Sequence, residues 1–139
     1  MSRGTIIAAN RIQYRDSVDP EYRHWGKKYP RFPGVAECVR LIQEGKATGA
    51  WSDIIVYELA EHAAACLPEL VVAYREASND RVQLYVMLAL DTSYPPEAVP
   101  FLADVLREGI ESHAALAKSA LQGIDTREAR TALWDAEHG

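Results

Sequence analysis

Three stretches of this chain line up at a constant interval. GVAECVRLIQEG starts at Gly34, CLPELVVAYREA at Cys66 and AVPFLADVLREG at Ala98, 32 residues apart each time. Each places apolar residues at i, i+3, i+4 and i+7: Val35, Cys38, Val39 and Ile42; Leu67, Leu70, Val71 and Tyr74; Val99, Leu102, Ala103 and Leu106. That spacing is one face of a helix with ~3.6 residues per turn. Glu44, Glu76 and Glu108 fall at matching positions, and so do Pro68 and Pro100. A proline suits the first helical turn, where its missing N–H has no intrahelical partner to lose. A period of this size is the mark of stacked helical units, none of which can bury its apolar face alone.

A second kind of helix lies between these. Its core triplets are Val56, Leu59 and Ala60; Val86, Ala89 and Leu90; and Ala117, Ala120 and Leu121, each at i, i+3, i+4. Ser52 and Asp53 before Ile54, Asn79 and Asp80 before Val82, and Ser112 read as helix starts, and Gly123 as a stop. A last helix runs from Thr126 to about Glu137. No period-two strand pattern stands out in residues 35–139. The expectation is an all-α domain of three helix pairs and a terminal helix over 35–139. Val39, Val71, Val86, Leu90, Leu102 and Leu121 should form its continuous core. The middle second helix also carries Leu84, Met87 and Leu88, which reads as burial on both sides.

AVPFLADVLREG followed by HAALAKSALQGID resembles the HEAT-repeat pattern, in which a proline-containing first helix precedes an alanine-rich second helix. Residues 98–125 carry the best match, and the likeness extends over about three quarters of the chain. Arg81 alone keeps the basic residue that usually opens the second helix, with His113 in its place in the third unit. The resemblance implies a short right-handed α-solenoid that binds proteins, less often nucleic acid, and it implies no catalytic residues.

Residues 1–34 break the pattern. They hold five of the twelve aromatic residues, including Trp25 and Phe32, and are punctuated by Pro20, Pro30, Pro33, Gly26 and Gly34. We expect an irregular aromatic and basic arm that packs on the first repeat, because open repeat ends must be covered. The arm has seven basic and three acidic groups, a net of +4; the rest has eight basic and seventeen acidic, a net of −9. A body at −9 repels phosphate backbones and attracts cationic surfaces. This argues against nucleic acid as the main ligand, unless the arm is a stacking platform for bases.

At 139 residues, with 48% apolar and 25% charged residues, the composition is that of one globular domain. Two cysteines make no disulfide framework. No apolar run nears the ~20 residues of a membrane helix, and Ile6–Ala9 is too short for a signal-peptide core. The expected location is cytoplasmic, with no membrane partner.

There is no phosphate-binding glycine loop, GxSxG, HExxH or CxxC. Glu58, Glu61 and His62 share a helix and offer one edge of a metal site, but the spacing supplies no further ligand, so a solvated face is expected. Cys38 reads as a core residue and Cys66 as buried and inert. No catalytic residue, cofactor or metal is assigned. The expected function is non-catalytic binding of a basic protein, as an inhibitor or immunity protein of a toxin would do. Its contact residues are assigned along the second helices: acids Asp53, Glu58, Glu61, Asp80 and Glu111, with Tyr57, Tyr85 and Met87 as apolar anchors. The alternatives are a HEAT-like DNA-repair glycosylase or other nucleic-acid binder, which needs a basic groove, and a structural adaptor subunit.

Overall fold

The computed structural model describes residues 14–139. Arg3 and Arg11, counted among the basic groups of the arm, and the Ile6–Ala9 stretch weighed as a signal-peptide core lie outside the described residues. Eight α-helices follow a 3-10 turn at Tyr14–Asp16. They are α1 (Pro20–Lys28), α2 (Val35–Gln43), α3 (Ala50–Glu61), α4 (Leu67–Glu76), α5 (Asp80–Ser93), α6 (Val99–Glu108), α7 (Glu111–Ile124) and α8 (Arg127–His138). A second 3-10 turn, Pro96–Ala98, leads into α6. No strand occurs among the described residues, and no described helix is long and apolar enough to cross a membrane.

The helix starts follow local chemistry in part. Asn79 accepts the Val82 N–H at 3.0 Å and Thr126 the Ala129 N–H at 3.2 Å, each satisfying a donor that the first turn leaves open. Pro20, Pro68 and Pro100 all sit in first turns. Two expected starts are displaced. α3 begins at Ala50, so Ser52 and Asp53 lie inside its first turn; α7 begins at Glu111 after Ile110, so Ser112 caps nothing. Gly123 does not stop α7, which ends with Asp125 at φ 52°. Gly123 is small for another reason: a Cβ there would overlap the Tyr94 ring.

The helices α3, α5 and α7 form a row, with α5 packed against both of the others. Each of α2, α4 and α6 packs on the helix that follows it, and α8 closes against α6 and α7. One apolar core runs through all of them. Val86, Leu90, Leu102 and Leu121 are buried as expected, while Val39 and Val71 are half-buried and pack on its edge. Burying one such leucine stabilises the fold by about 1.5–3 kcal/mol.

The N-terminal segment is not irregular. Asp19 accepts the Glu21 N–H at 2.9 Å and opens α1, a nine-residue helix. Gly26 lies inside that helix because the Tyr14–Arg15 backbone crosses there, and a Cβ would meet Arg15 N and Tyr14 C below 3 Å. The segment packs against α3 and shares the same apolar core. Trp25 is fully buried, with its ring 4.6 Å from Tyr29 and 5.1 Å from Trp51. Phe32 is half-buried and stacks on His62. Glu21 caps α3 from outside: its Oε2 accepts the Ala50 N–H at 3.3 Å, while the Trp51 indole donates to the Glu21 carbonyl at 3.1 Å. Gly49, at φ 55°, makes room for that carboxylate.

Candidate functional site

The expected contact residues do not share one surface. Asp53 and Tyr57 are one turn apart on α3 and both exposed, Tyr57 at 41%. Asp80 and Glu111 are exposed in the first turns of α5 and α7, where negative charge offsets the positive end of the helix dipole. Three assignments are wrong for a surface role. Met87 is fully buried, because α5 is covered by α2, α3, α4 and α7. Tyr85 is 5% exposed, and its hydroxyl is engaged by Ser52 Oγ at 2.8 Å and the Ala47 carbonyl at 3.3 Å. Glu58 is fully buried at the end of α3, so the solvated face expected for it does not exist; Glu61 beside it is half-buried. One donor atom from each of Glu58, Glu61 and His62 lies within 4.8 Å of the others, the described set in which a divalent cation could be held. On α5, Leu88 is half-buried and Leu84 remains 36% exposed.

The structure adds a neighbour to Tyr57 that lies on another helix. α1 packs on α3, and this brings Tyr22 to the Asp53–Tyr57 face. Burial pushes the Tyr22 phenol above its ordinary value, and the nearby charges of Asp53, Asp19, Tyr57 and Glu21 push it further. Where α1 meets α3, Tyr22 thus lies within electrostatic reach of Tyr57, Asp19, Glu21 and Asp53. The origin of this grouping is local: Asp19 caps α1, Glu21 caps α3, and Asp53 sits in the first turn of α3. Carboxylates gather where helix N-termini meet. Such a grouping can accept hydrogen bonds from ammonium or guanidinium groups and offer ring faces to them.

The aromatic residues of the N-terminal segment do not form a base-stacking platform. Trp25 is inside the core, and Tyr29 and Trp51 are packed around it. The Tyr29 hydroxyl donates to Glu37 at 2.6 Å, which ties α1 to α2. Cys38 is buried, and burial, then Glu58 and Glu37, push its thiol up to about 12. Cys66 is half-buried, more open than expected, and burial and then Glu69 also raise its thiol. No family model, curated protein or solved structure matches the chain.

Proposed function

We propose that this chain is a non-catalytic binding module, a short HEAT-like solenoid that docks a cationic protein segment where α1 meets α3. The observation that supports it is the pairing of exposed Tyr57 with Asp53 on one helix face, beside Tyr22, Asp19 and Glu21. The stacking of α3, α5 and α7 in a row suits a repeat scaffold. Exposed ion pairs contribute only ~0–1 kcal/mol each, so the acids set the approach and the choice of partner. Affinity comes from an apolar anchor, and Tyr57 is that anchor. Inhibition of a basic toxin is one role that such a surface serves.

The test compares wild type with Asp53→Lys and Tyr57→Ala in capture from native lysate at low and high salt, followed by kinetics on the protein recovered. The expected partner is basic and lost at high salt. Asp53→Lys should slow association and flatten its salt dependence, whereas Tyr57→Ala should speed dissociation. Capture indifferent to both changes and to salt overturns the proposal, and so does tight binding of duplex DNA.

A further inference from the structure

Glu58, Glu61 and His62 stand at i, i+3 and i+4, so they share one side of the last turn of α3. One ligand atom from each lies within 4.8 Å of the other two. Glu58 is fully buried, while Glu61 and His62 are half-buried, so the group has its floor in the core and a side that reaches solvent. Glu61 Oε2 is itself buried and accepts no hydrogen bond from a described residue. A carboxylate oxygen withdrawn from water needs a donor or a cation to replace that water.

The place of these carboxylates in the helix favours the cation. Asp53, Asp80 and Glu111 lie in first turns, where the positive end of the dipole stabilises them. Glu58 and Glu61 lie in a last turn, where the dipole is negative and no basic residue of that turn offsets it. Among the described residues, neither Glu61 nor His62 forms an ion pair. The His62 ring is held in two ways: its Nδ1 is 3.0 Å from the Glu58 carbonyl, and its face stacks on Phe32 at a centroid distance of 3.9 Å. A carbonyl oxygen only accepts, so Nδ1 donates, and in the neutral ring Nε2 is the nitrogen with a lone pair to give a metal. Metal-ligating histidines are ordinarily anchored in this way, through a hydrogen bond from the other ring nitrogen.

We propose that Glu58, Glu61 and His62 hold a zinc ion at the C-terminal end of α3. Calcium and magnesium take oxygen ligands, whereas one imidazole with two carboxylates suits zinc. Zinc binds such donors tetrahedrally at about 2.0–2.2 Å, which sets them roughly 3.4 Å apart. Rotation of the two glutamate side chains closes the gap between that spacing and the 4.8 Å limit. Three protein ligands leave the fourth position to water. Through the Phe32 ring stacked on His62, the ion would also tie the segment between α1 and α2 to the end of α3. The site makes no use of Asp53 or Tyr57, and it stands whether or not the α1–α3 face binds a cationic protein.

The probe is zinc chloride, titrated calorimetrically into the full chain after treatment with a chelator. One equivalent should bind, raise the melting temperature and be removed again by the chelator. Glu61→Gln keeps the size of the side chain and discards its charge, and His62→Gln removes the imidazole; each should weaken binding about tenfold or more. Circular dichroism checks the fold of each variant without metal, and Glu61→Gln decides if His62→Gln does not fold. Cys66→Ser, His24→Gln and His138→Gln alter other groups that attract zinc and are not buried, and they should leave the affinity unchanged. Failure to bind one equivalent, unchanged affinity in Glu61→Gln, or loss of binding in any of the three control variants overturns the inference. Tighter binding of magnesium or calcium than of zinc overturns the assignment to zinc. None of these readouts depends on a protein partner.

Discussion

Replacing Trp25 by alanine tests whether the N-terminal helix is an integral part of the core. The indole is fully buried and contacts Tyr29 and Trp51 at centroid distances of 4.6 and 5.1 Å. Truncation of a buried tryptophan costs about 3–5 kcal/mol, including the cavity left behind. One term offsets this: the indole Nε1 is buried with no hydrogen-bond partner, and an orphaned donor of that kind carries a penalty of about 1–3 kcal/mol. The net expectation for Trp25→Ala is a loss of about 2 kcal/mol. With a urea slope of ~1.5 kcal/mol per M, the unfolding midpoint should fall by roughly 1.3 M. Trp25→Phe keeps much of the ring and discards the orphaned donor, so its loss should stay below about 1 kcal/mol. Equilibrium unfolding in urea, followed by far-ultraviolet circular dichroism, measures both. The reasoning fails if the alanine variant stays within about 1 kcal/mol of wild type, or if phenylalanine costs as much as alanine.

Two further outcomes concern ionisation. Hydrogen bonds from Arg40 and then Tyr29 hold the Glu37 carboxyl down at about 2, against an ordinary 4.5. Its contribution to stability is therefore complete above about pH 4.5 and lost as the pH falls toward 2, so the melting points of wild type and Glu37→Gln should converge over that range. Burial and then Glu37 raise the Tyr29 phenol from 10 to about 12, so the neutral form contributes below pH 10 and its benefit disappears between 10 and 12. Tyr29→Phe should flatten that alkaline fall; unaltered profiles in both variants would refute the assignment. For the thiols, Cys66 should react with an aromatic disulfide in the native protein, and Cys38 only at the rate of unfolding. Simultaneous native-state labelling of the two would show that Cys38 is not sealed in the core.

The helical part of the fold was legible because its signal is periodic and local. The i, i+3, i+4 triplet of Ala117, Ala120 and Leu121 is buried throughout, and Leu70 and Leu102 are the buried centres of stripes whose Val71, Tyr74, Ala103 and Leu106 are half-buried. α1 was not legible, because what makes it a helix comes partly from elsewhere. Pro20 starts it behind the Asp19 cap, and Gly26 answers a close approach of the Tyr14–Arg15 backbone that no local pattern announces. Gly123 misleads in the same way: it reads as a stop, yet it makes room for Tyr94 on a different helix connection.

Which face of each second helix reaches solvent was a harder question, because periodicity identifies a face but not what covers it. Asp53 and Tyr57 are assigned as contacts because they lie along a second helix, and both are exposed. The same logic put Tyr85 and Met87 on a contact surface of α5, where they are buried. The difference lies in the position of each helix in the row. α3 has one neighbour in the row, α5, with α1 and α2 also packed on it, whereas α5 has α3 and α7 on its two sides and α2 and α4 on a third. A helix so enclosed needs apolar residues almost all round, and the run of Leu84, Met87 and Leu88 meets that need before it offers any groove. A middle helix therefore has little surface left for function. Contact residues must come from its flanks, from the ends of the row and from the seams between units. Tyr22 and His113 lie at such seams: Tyr22 meets α3 from the preceding helix, and His113 meets Tyr74 from the next unit. Neither carries a signal in its own helix, because its surroundings are set by a neighbour 30 or more residues away in the chain.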